Sequence, residues 1–306
     1  MIQKSQKIIN RIFTIGEIVY DIIFKDGQPV AARPGGSMLN SAISLGRTGL
    51  PVSFTGTCGS DQVGDLIKKF LNDNNVDPSF LHQENSQSII ALAFLDDQNN
   101  ASYSFYKGQV PPEPPPLPSP GHRDILLFGS FYSVSESTRN SAINLRKTAS
   151  DRGALIMYDP NFRDSHLREL NEVKPYIEEN ILNSDIVRGS DEDFEVIFGT
   201  GTAGETWDLD CFRNCRALVY TRSSKGVDLC TPELNRHYPV PSIRPLSTIG
   251  AGDSFNAGII RAFYVEGINN ANISKCTSSQ WDDIIKSGIE FSTAVCMSYD
   301  NYIPAS

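Results

Sequence analysis

The sequence predicts an α/β fold with a mainly parallel central sheet. Short apolar runs at Asp124 to Phe128, Ala154 to Tyr158, Asp185 to Val187 and Ala217 to Tyr220 alternate with segments of helical spacing, and the N-terminal part repeats the order strand, turn, helix. Such alternation implies parallel strands joined by right-handed crossovers. A further stretch, Ser88 to Lys107, has period two and predicts a small antiparallel sheet set apart from these layers. At 306 residues the chain can hold one large domain or two, with a sizeable core in either case.

In chain order, Arg11 to Gly16 reads as a buried strand ending in Gly, and Ile18 to Phe24 continues it with Asp21 in its middle. Gly35 and Gly36 open a helix whose Leu39, Ala42, Ile43 and Leu45 recur at helical spacing until Gly49 and Pro51 stop it. Val52 to Gly56 is a strand, and Asp61 is placed to cap a helix through Leu66, Ile67, Phe70 and Leu71. Ile89 to Leu95 and Ala101 to Tyr106, joined by turn-forming Asp96 to Asn100, predict a hairpin. With Ile18 to Ala32 it makes up the small sheet, which is expected to project as a lid. Pro111 to Pro120 contains seven prolines, so it runs extended, as a stiff connector or as a P-x-x-P ligand for an aromatic groove. No internal repeat is visible.

The 27 Lys and Arg against 36 Asp and Glu give a net charge of −9. That balance excludes a basic nucleic-acid footprint and offers nothing to an anionic membrane surface. Phosphate ligands stay open, because main-chain amides hold them regardless of global charge. The six scattered cysteines form neither a C-x-x-C pair nor a zinc-spaced cluster. Reduced thiols and a cytoplasmic address are expected. The polar Met1 to Asn10, with Glu17 and Asp21 interrupting the apolar run beyond, fits no signal peptide or membrane span.

The stretch richest in chemistry is Ser247-Thr248-Ile249-Gly250-Ala251-Gly252-Asp253-Ser254-Phe255-Asn256-Ala257-Gly258, which leads into an apolar helical pattern. Small residues before a helix let the N–H groups of Gly250, Ala251 and Gly252 converge on an anion, and the helix dipole adds partial positive charge. Asp253 then falls in the first turn, close enough to take a proton from an attacking hydroxyl. The plain alternative is a Gly-rich turn with Asp253 as an N-terminal cap. Other α/β readings lack their motifs: Gly56-Thr57-Cys58-Gly59 is no dinucleotide G-x-G-x-x-G, and no G-x-x-x-x-G-K-[ST] phosphate loop occurs.

Ser247 to Ile260 resembles the C-terminal signature of the PfkB-type carbohydrate kinases, the ribokinase and fructokinase family. Gly35-Gly36-Ser37-Met38-Leu39-Asn40-Ser41-Ala42 resembles the family's N-terminal signature. The resemblance runs from Gly16 to about Ile303 and implies a single ribokinase-like domain over residues 1–306. This is a three-layer α/β/α sandwich with a mainly parallel central sheet and a small antiparallel β lid at about 17–34 and 87–108. It implies ATP-dependent phosphorylation of a sugar hydroxymethyl, with Asp253 as general base and the Gly250, Ala251 and Gly252 amides around the transferred group. Gly16-Glu17-Ile18-Val19-Tyr20-Asp21 and Asp159-Pro160-Asn161-Phe162-Arg163 look like the fructokinase-like branch, which favours fructose or a related ketose or keto-deoxy sugar acid.

The resemblance also implies roles residue by residue. Asp21, Gly35, Gly36, Asn40, Lys107 and Arg163 join Asp253 around the sugar. Ser190, Thr221, Ser223, Gly226, Gly250 and Gly252 hold the nucleotide, and Asp193 reaches Mg²⁺ through water. The chain departs from the family where Ser190 and Asp193 shorten an N-x-x-E, where Ser223 replaces Gly, and where Asn301 replaces a late Gly. Ser247 replaces an Asp that helps hold a monovalent cation in some relatives, which leaves potassium activation without that ligand. The lid edge is expected to pair two subunits into a homodimer. A catalytically weak sugar or nucleotide sensor of the same fold is the rival these departures allow.

Overall fold

The computed structural model describes residues 10–95, 101–106 and 113–305. Its strands are β1 (Ile12–Ile15), β2 (Val19–Lys25), β3 (Gln28–Gly35), β4 (Val52–Gly59), β5 (Val76–Glu84), β6 (Ile90–Leu95), β7 (Ala101–Tyr106), β8 (Ile125–Gly129), β9 (Leu155–Asp159), β10 (Ile186–Ser190), β11 (Ala217–Thr221), β12 (Val227–Cys230) and β13 (Asn235–Tyr238). The helices are α1 (Ser37–Arg47), α2 (Gln62–Asp73), α3 (Arg139–Asp151), α4 (Leu170–Leu182), α5 (Asp191–Phe198), α6 (Ala203–Trp207), α7 (Ala251–Glu266) and α8 (Ser278–Cys296).

Nine strands form one sheet in the order β13-β12-β11-β10-β9-β8-β1-β4-β5. From β11 to β5 every neighbouring pair is parallel, and only β12 and β13 continue it in antiparallel pairing. The apolar runs that predict this sheet are its buried centre: β1, β8, β9 and β11 are buried along their whole length, as parallel strands covered on both faces must be. One face packs under α1, α2, α7 and α8 through Leu39, Ile43, Ile67, Phe263, Trp281 and Ile284. The other packs under α3, α4 and α5 through Leu145, Val173, Ile177 and Phe194. The result is a three-layer sandwich, and no helix among the described residues is long and apolar enough to cross a membrane.

Local sequence sets the ends of the helices that matter most. Gly36 caps α1 at φ +132°, where a side chain would meet the Glu17 carbonyl at 2.3 Å. Asp61 caps α2 by accepting from the Gly64 N–H at 2.8 Å, as its position predicts. Ser190 and Asp193 form a reciprocal capping box at the start of α5. Helix α7 is capped by Gly250 at its start and Gly267 at its end, both left-handed.

The small sheet has the order β3-β2-β6-β7. β2–β3 and β6–β7 are antiparallel hairpins, while β2 and β6 run parallel. The parallel pair follows from connectivity, because the chain leaves after β3, builds α1 to β5 in the main layers, and re-enters at β6. The predicted turn at 96–100 and Lys107 lie outside the described residues. The proline-rich connector, described from Glu113 onward, runs without regular structure, and its Glu113 carbonyl accepts from Thr57 Oγ1 at 2.9 Å.

Candidate active site

Asp253 stands in the first turn of α7, yet its side chain does not cap that helix. It turns to the start of α1 instead, where Oδ1 accepts from Ser37 Oγ at 2.5 Å and Oδ2 from Asn40 Nδ2 at 2.8 Å. Two segments more than 200 residues apart thus meet on one carboxylate, which is 5% exposed. The helices are locked together around it: Ser41 Oγ donates to the Asp253 carbonyl at 2.9 Å, and the hydroxyls of Ser44 and Ser254 lie 3.0 Å apart. The small side chains of both signatures permit this close crossing.

Behind the carboxylate, Gly250 has φ +77°, and a β-carbon there would lie 2.1 Å from the Asn301 carbonyl oxygen. Only glycine fits. The sequence places three convergent amides here, but the Ala251 N–H is turned inward to the Thr248 carbonyl at 3.2 Å. Ser254 N–H, the first to bond back into the helix, donates to the Gly250 carbonyl at 2.9 Å. The N–H groups of Gly250, Gly252 and Asp253 meet no main-chain acceptor among the described residues, the arrangement that makes a helix start receptive to an anion.

Asp21, on β2, packs against Gly35, just before the start of α1. A β-carbon at Gly35 would lie 2.4 Å from its Oδ2, so Gly35 keeps room for the carboxylate. Burial raises the Asp21 pKa from 3.8 to about 6, with Arg33 pulling it the other way. Asp21, Lys25, Arg33, Ser247, Tyr299 and Asn301 line a cleft of about 350 Å³ between the small sheet and the two loops before α7 and after α8. Arg33 ties lid to body, with Nη1 donating to the Tyr299 carbonyl at 2.8 Å and pairing with Asp300 at 2.9 Å. Asn301 is buried and its φ is not left-handed. The expected exchange of a late glycine for Asn301 therefore does not rest on a left-handed backbone, and the Asn301 carbonyl packs against Gly250.

The expected nucleotide residues gather at the carboxyl ends of β10 and β11. The turn after Thr221 holds two residues of positive φ, Ser223 at +47° and Gly226 at +105°, the first of them a serine that lacks glycine's freedom. Asp193 accepts from the Phe162 N–H at 2.8 Å and from Ser190 N–H and Oγ at 2.8 and 2.6 Å. Both of its oxygens are thereby engaged, and no cluster of three metal-ligating side chains occurs among the described residues. Arg163 is exposed just beyond β9. Two residues escape the sequence reading: Ser37, whose hydroxyl holds Asp253, and Arg188, a buried arginine in β10. The signal for Arg188 was present, as a lone charge inside an apolar parallel strand.

A family model described as pfkB family carbohydrate kinase matches residues 10–278. The chain is similar to a fructokinase of Escherichia coli, with 25% identity over 264 residues covering 85% of this chain and 86% of the relative. It is also similar to an aminoimidazole riboside kinase of Salmonella typhimurium, at 22% over 280 residues covering 87% and 88%. A solved fructokinase from Vibrio cholerae O395, in fructose, ADP and calcium ion bound form, superposes with a TM-score of 0.81 at 23% identity, covering 96% of this chain and 94% of that one. That likeness establishes the ribokinase-like fold.

Proposed function

The chain belongs to the pfkB family of carbohydrate kinases, phosphotransferases with an alcohol group as acceptor, and from that premise we propose that it moves the γ-phosphoryl group of ATP onto a hydroxymethyl oxygen of fructose or a related ketose or keto-deoxy sugar acid. Asp253 is the general base. The observation that carries this reading is the turn of its carboxylate away from its own helix and onto Ser37 and Asn40, beside open N–H groups at the start of α7.

Asn40 fixes Oδ2, and the acceptor alcohol competes with the Ser37 hydroxyl for Oδ1, from which its proton is taken as the oxygen attacks phosphorus. The Gly252 and Asp253 N–H groups face the charge that develops on the transferring oxygens, a fixed electrostatic contribution that needs no reorganisation. Asp21, Gly35, Gly36, Lys107 and Arg163 complete the sugar side, and Ser190, Thr221, Ser223, Gly226 and Gly250 the nucleotide side. Asp193, with three hydrogen bonds already accepted, suits an outer ligand reached through water, as Mg²⁺ permits. A magnesium ion there would neutralise phosphate charge.

Strands β2, β3 and β6 close one side of the cleft, and the Arg33 tie to Tyr299 and Asp300 holds them over it, which keeps water from the phosphoryl group. Side chains alternate across this sheet: Asp21, Ile23 and Lys25 line the cleft, so Ile22 and Phe24 of β2, with Leu92 and Phe94 of β6, face outward. Phe24 stacks on Phe94 at 5.1 Å, and Phe94 is exposed. This apolar outer face supports pairing of two copies through the lid. Six free cysteines suit a reducing cytoplasm.

A coupled ADP-release assay over fructose, ribose, 2-keto-3-deoxygluconate and adenosine tests the reading. Release with fructose or the keto-deoxy acid is expected. The engaged oxygens of Asp193 favour a second reading, a catalytically weak sensor of the same fold, and ligand binding without ADP release from any sugar would select it.

A further inference from the structure

Arg188 is the centre of a buried network and has no role of its own in the reaction above. It is 8% exposed, and the parallel register sets it beside Asp159 of β9 and two positions short of Thr221 of β11. All three project from the sheet face covered by α7, in phase with Met157, Ile186 and Val219, which pack there. Nη1 donates to Asp159 Oδ2 at 3.0 Å and Nη2 to Thr221 Oγ1 at 2.8 Å. Asn256 Nδ2, one turn into α7, donates to the same Asp159 oxygen at 2.6 Å. The guanidinium lies 5.7 Å from the Phe255 ring centre, and a β-carbon at Gly252 would come within 2.8 Å of Nη1. One side chain therefore touches β9, β11 and the first turn of α7.

We propose that Arg188 is a positioning residue for phosphoryl transfer, a role that rests on the kinase reading: its fork sets the Gly252 amide and the Thr221 hydroxyl at a fixed separation for the nucleotide's phosphates. The place is the carboxyl ends of adjacent parallel strands, where open α/β sheets put their ligands. Its charge lies under the positive end of α7 and adds to it. Asp159 answers that charge; burial drives its pKa up and Arg188 opposes the rise. Stability alone accounts poorly for the arrangement. A buried ion pair is commonly no better than apolar packing, and Arg188 Nε has no hydrogen-bond partner among the described residues.

The test uses two variants of the full chain. Arg188→Lys keeps the charge but loses the two-pronged geometry. Arg188→Met would strand the Asp159 charge, so it is made together with Asp159→Asn. ATP binding is measured by calorimetry without sugar, alongside the melting temperature and turnover with fructose. The expected result is ATP affinity lowered about fivefold or more in both variants, turnover lowered about tenfold or more, and melting within a few degrees of the parent. ATP bound as tightly as by the parent, or affinity lost only together with melting, would overturn the proposal. A parent chain that binds no ATP would instead sink the kinase reading on which it stands.

Discussion

Gly250→Ala and Gly267→Ala sit at the two ends of one helix and separate backbone strain from damage to the site. Both glycines are left-handed, at φ +77° and +67°, so either alanine costs about 1 kcal/mol of stability, a fall in melting temperature of about 2–4 °C. The surroundings differ. At Gly267 nothing lies within 4 Å of the new β-carbon, whereas at Gly250 the Asn301 carbonyl oxygen, carbon and Cα lie at 2.1, 2.7 and 2.8 Å. All three are main-chain atoms, so relief to ordinary contact requires the turn or the 301 segment to move by about 1 Å, a displacement that costs on the order of a hundredfold in rate when it misplaces a reacting group. That equals about 2.7 kcal/mol on the barrier. Thermal melting and coupled ADP release on both variants decide the matter: Gly267→Ala should melt earlier with unchanged kcat, and Gly250→Ala should lose about a hundredfold in kcat. Wild-type kcat in Gly250→Ala, or equal losses in both, would refute the anion-cradle argument.

The raised Asp21 pKa makes a pH prediction with a definite sign. Because the folded value, about 6, lies above the ordinary aspartate value of 3.8, the folded chain keeps a proton that the unfolded chain releases, and stability falls as pH rises between about 4 and 6. Asp21→Asn should abolish that fall, gaining up to about 3 kcal/mol at pH 7 in urea titrations, and weaken sugar binding. An unchanged stability profile would contradict the assigned burial. Ser223→Gly removes a left-handed serine at φ +47°. If the nucleotide contact is through the main chain, ATP affinity should hold within about twofold, whereas a loss near tenfold would show that the hydroxyl binds. Phe94→Glu places a charge on the outer lid face; on the proposed pairing through the lid, light scattering should report a dimer for the parent and a monomer for the variant, and the same state in both would contradict that interface.

The parallel sheet was legible because strands buried on both faces must be apolar throughout, and β8, β9 and β11 coincide with runs visible by eye. β5 was missed: it carries Pro78 within a half-buried edge strand and pairs with β4 across a register shift, so neither alternation nor a continuous run marks it. β12 and β13 were missed for a related reason, since Asn235 to Tyr238 is a polar edge whose strand character comes from its partner. At the site, Gly250 and Asp253 were readable from local turn chemistry. The inward turn of the Ala251 amide was not, because one hydrogen bond to Thr248 decides it. Ser37 gained its role only through a contact spanning 216 residues, and Arg188 through three strands and a helix brought together by folding.

The central claim is that the Asp253 carboxylate takes the proton of a sugar alcohol, and the turnover of Asp253→Asn measures it most directly. An asparagine there can accept from Asn40 and donate to the Ser37 hydroxyl, so the pocket keeps its shape while the base is removed. With a sugar that the parent phosphorylates, kcat should fall by about a hundredfold or more while ATP still binds. Turnover near that of the parent would take Asp253 out of the reaction.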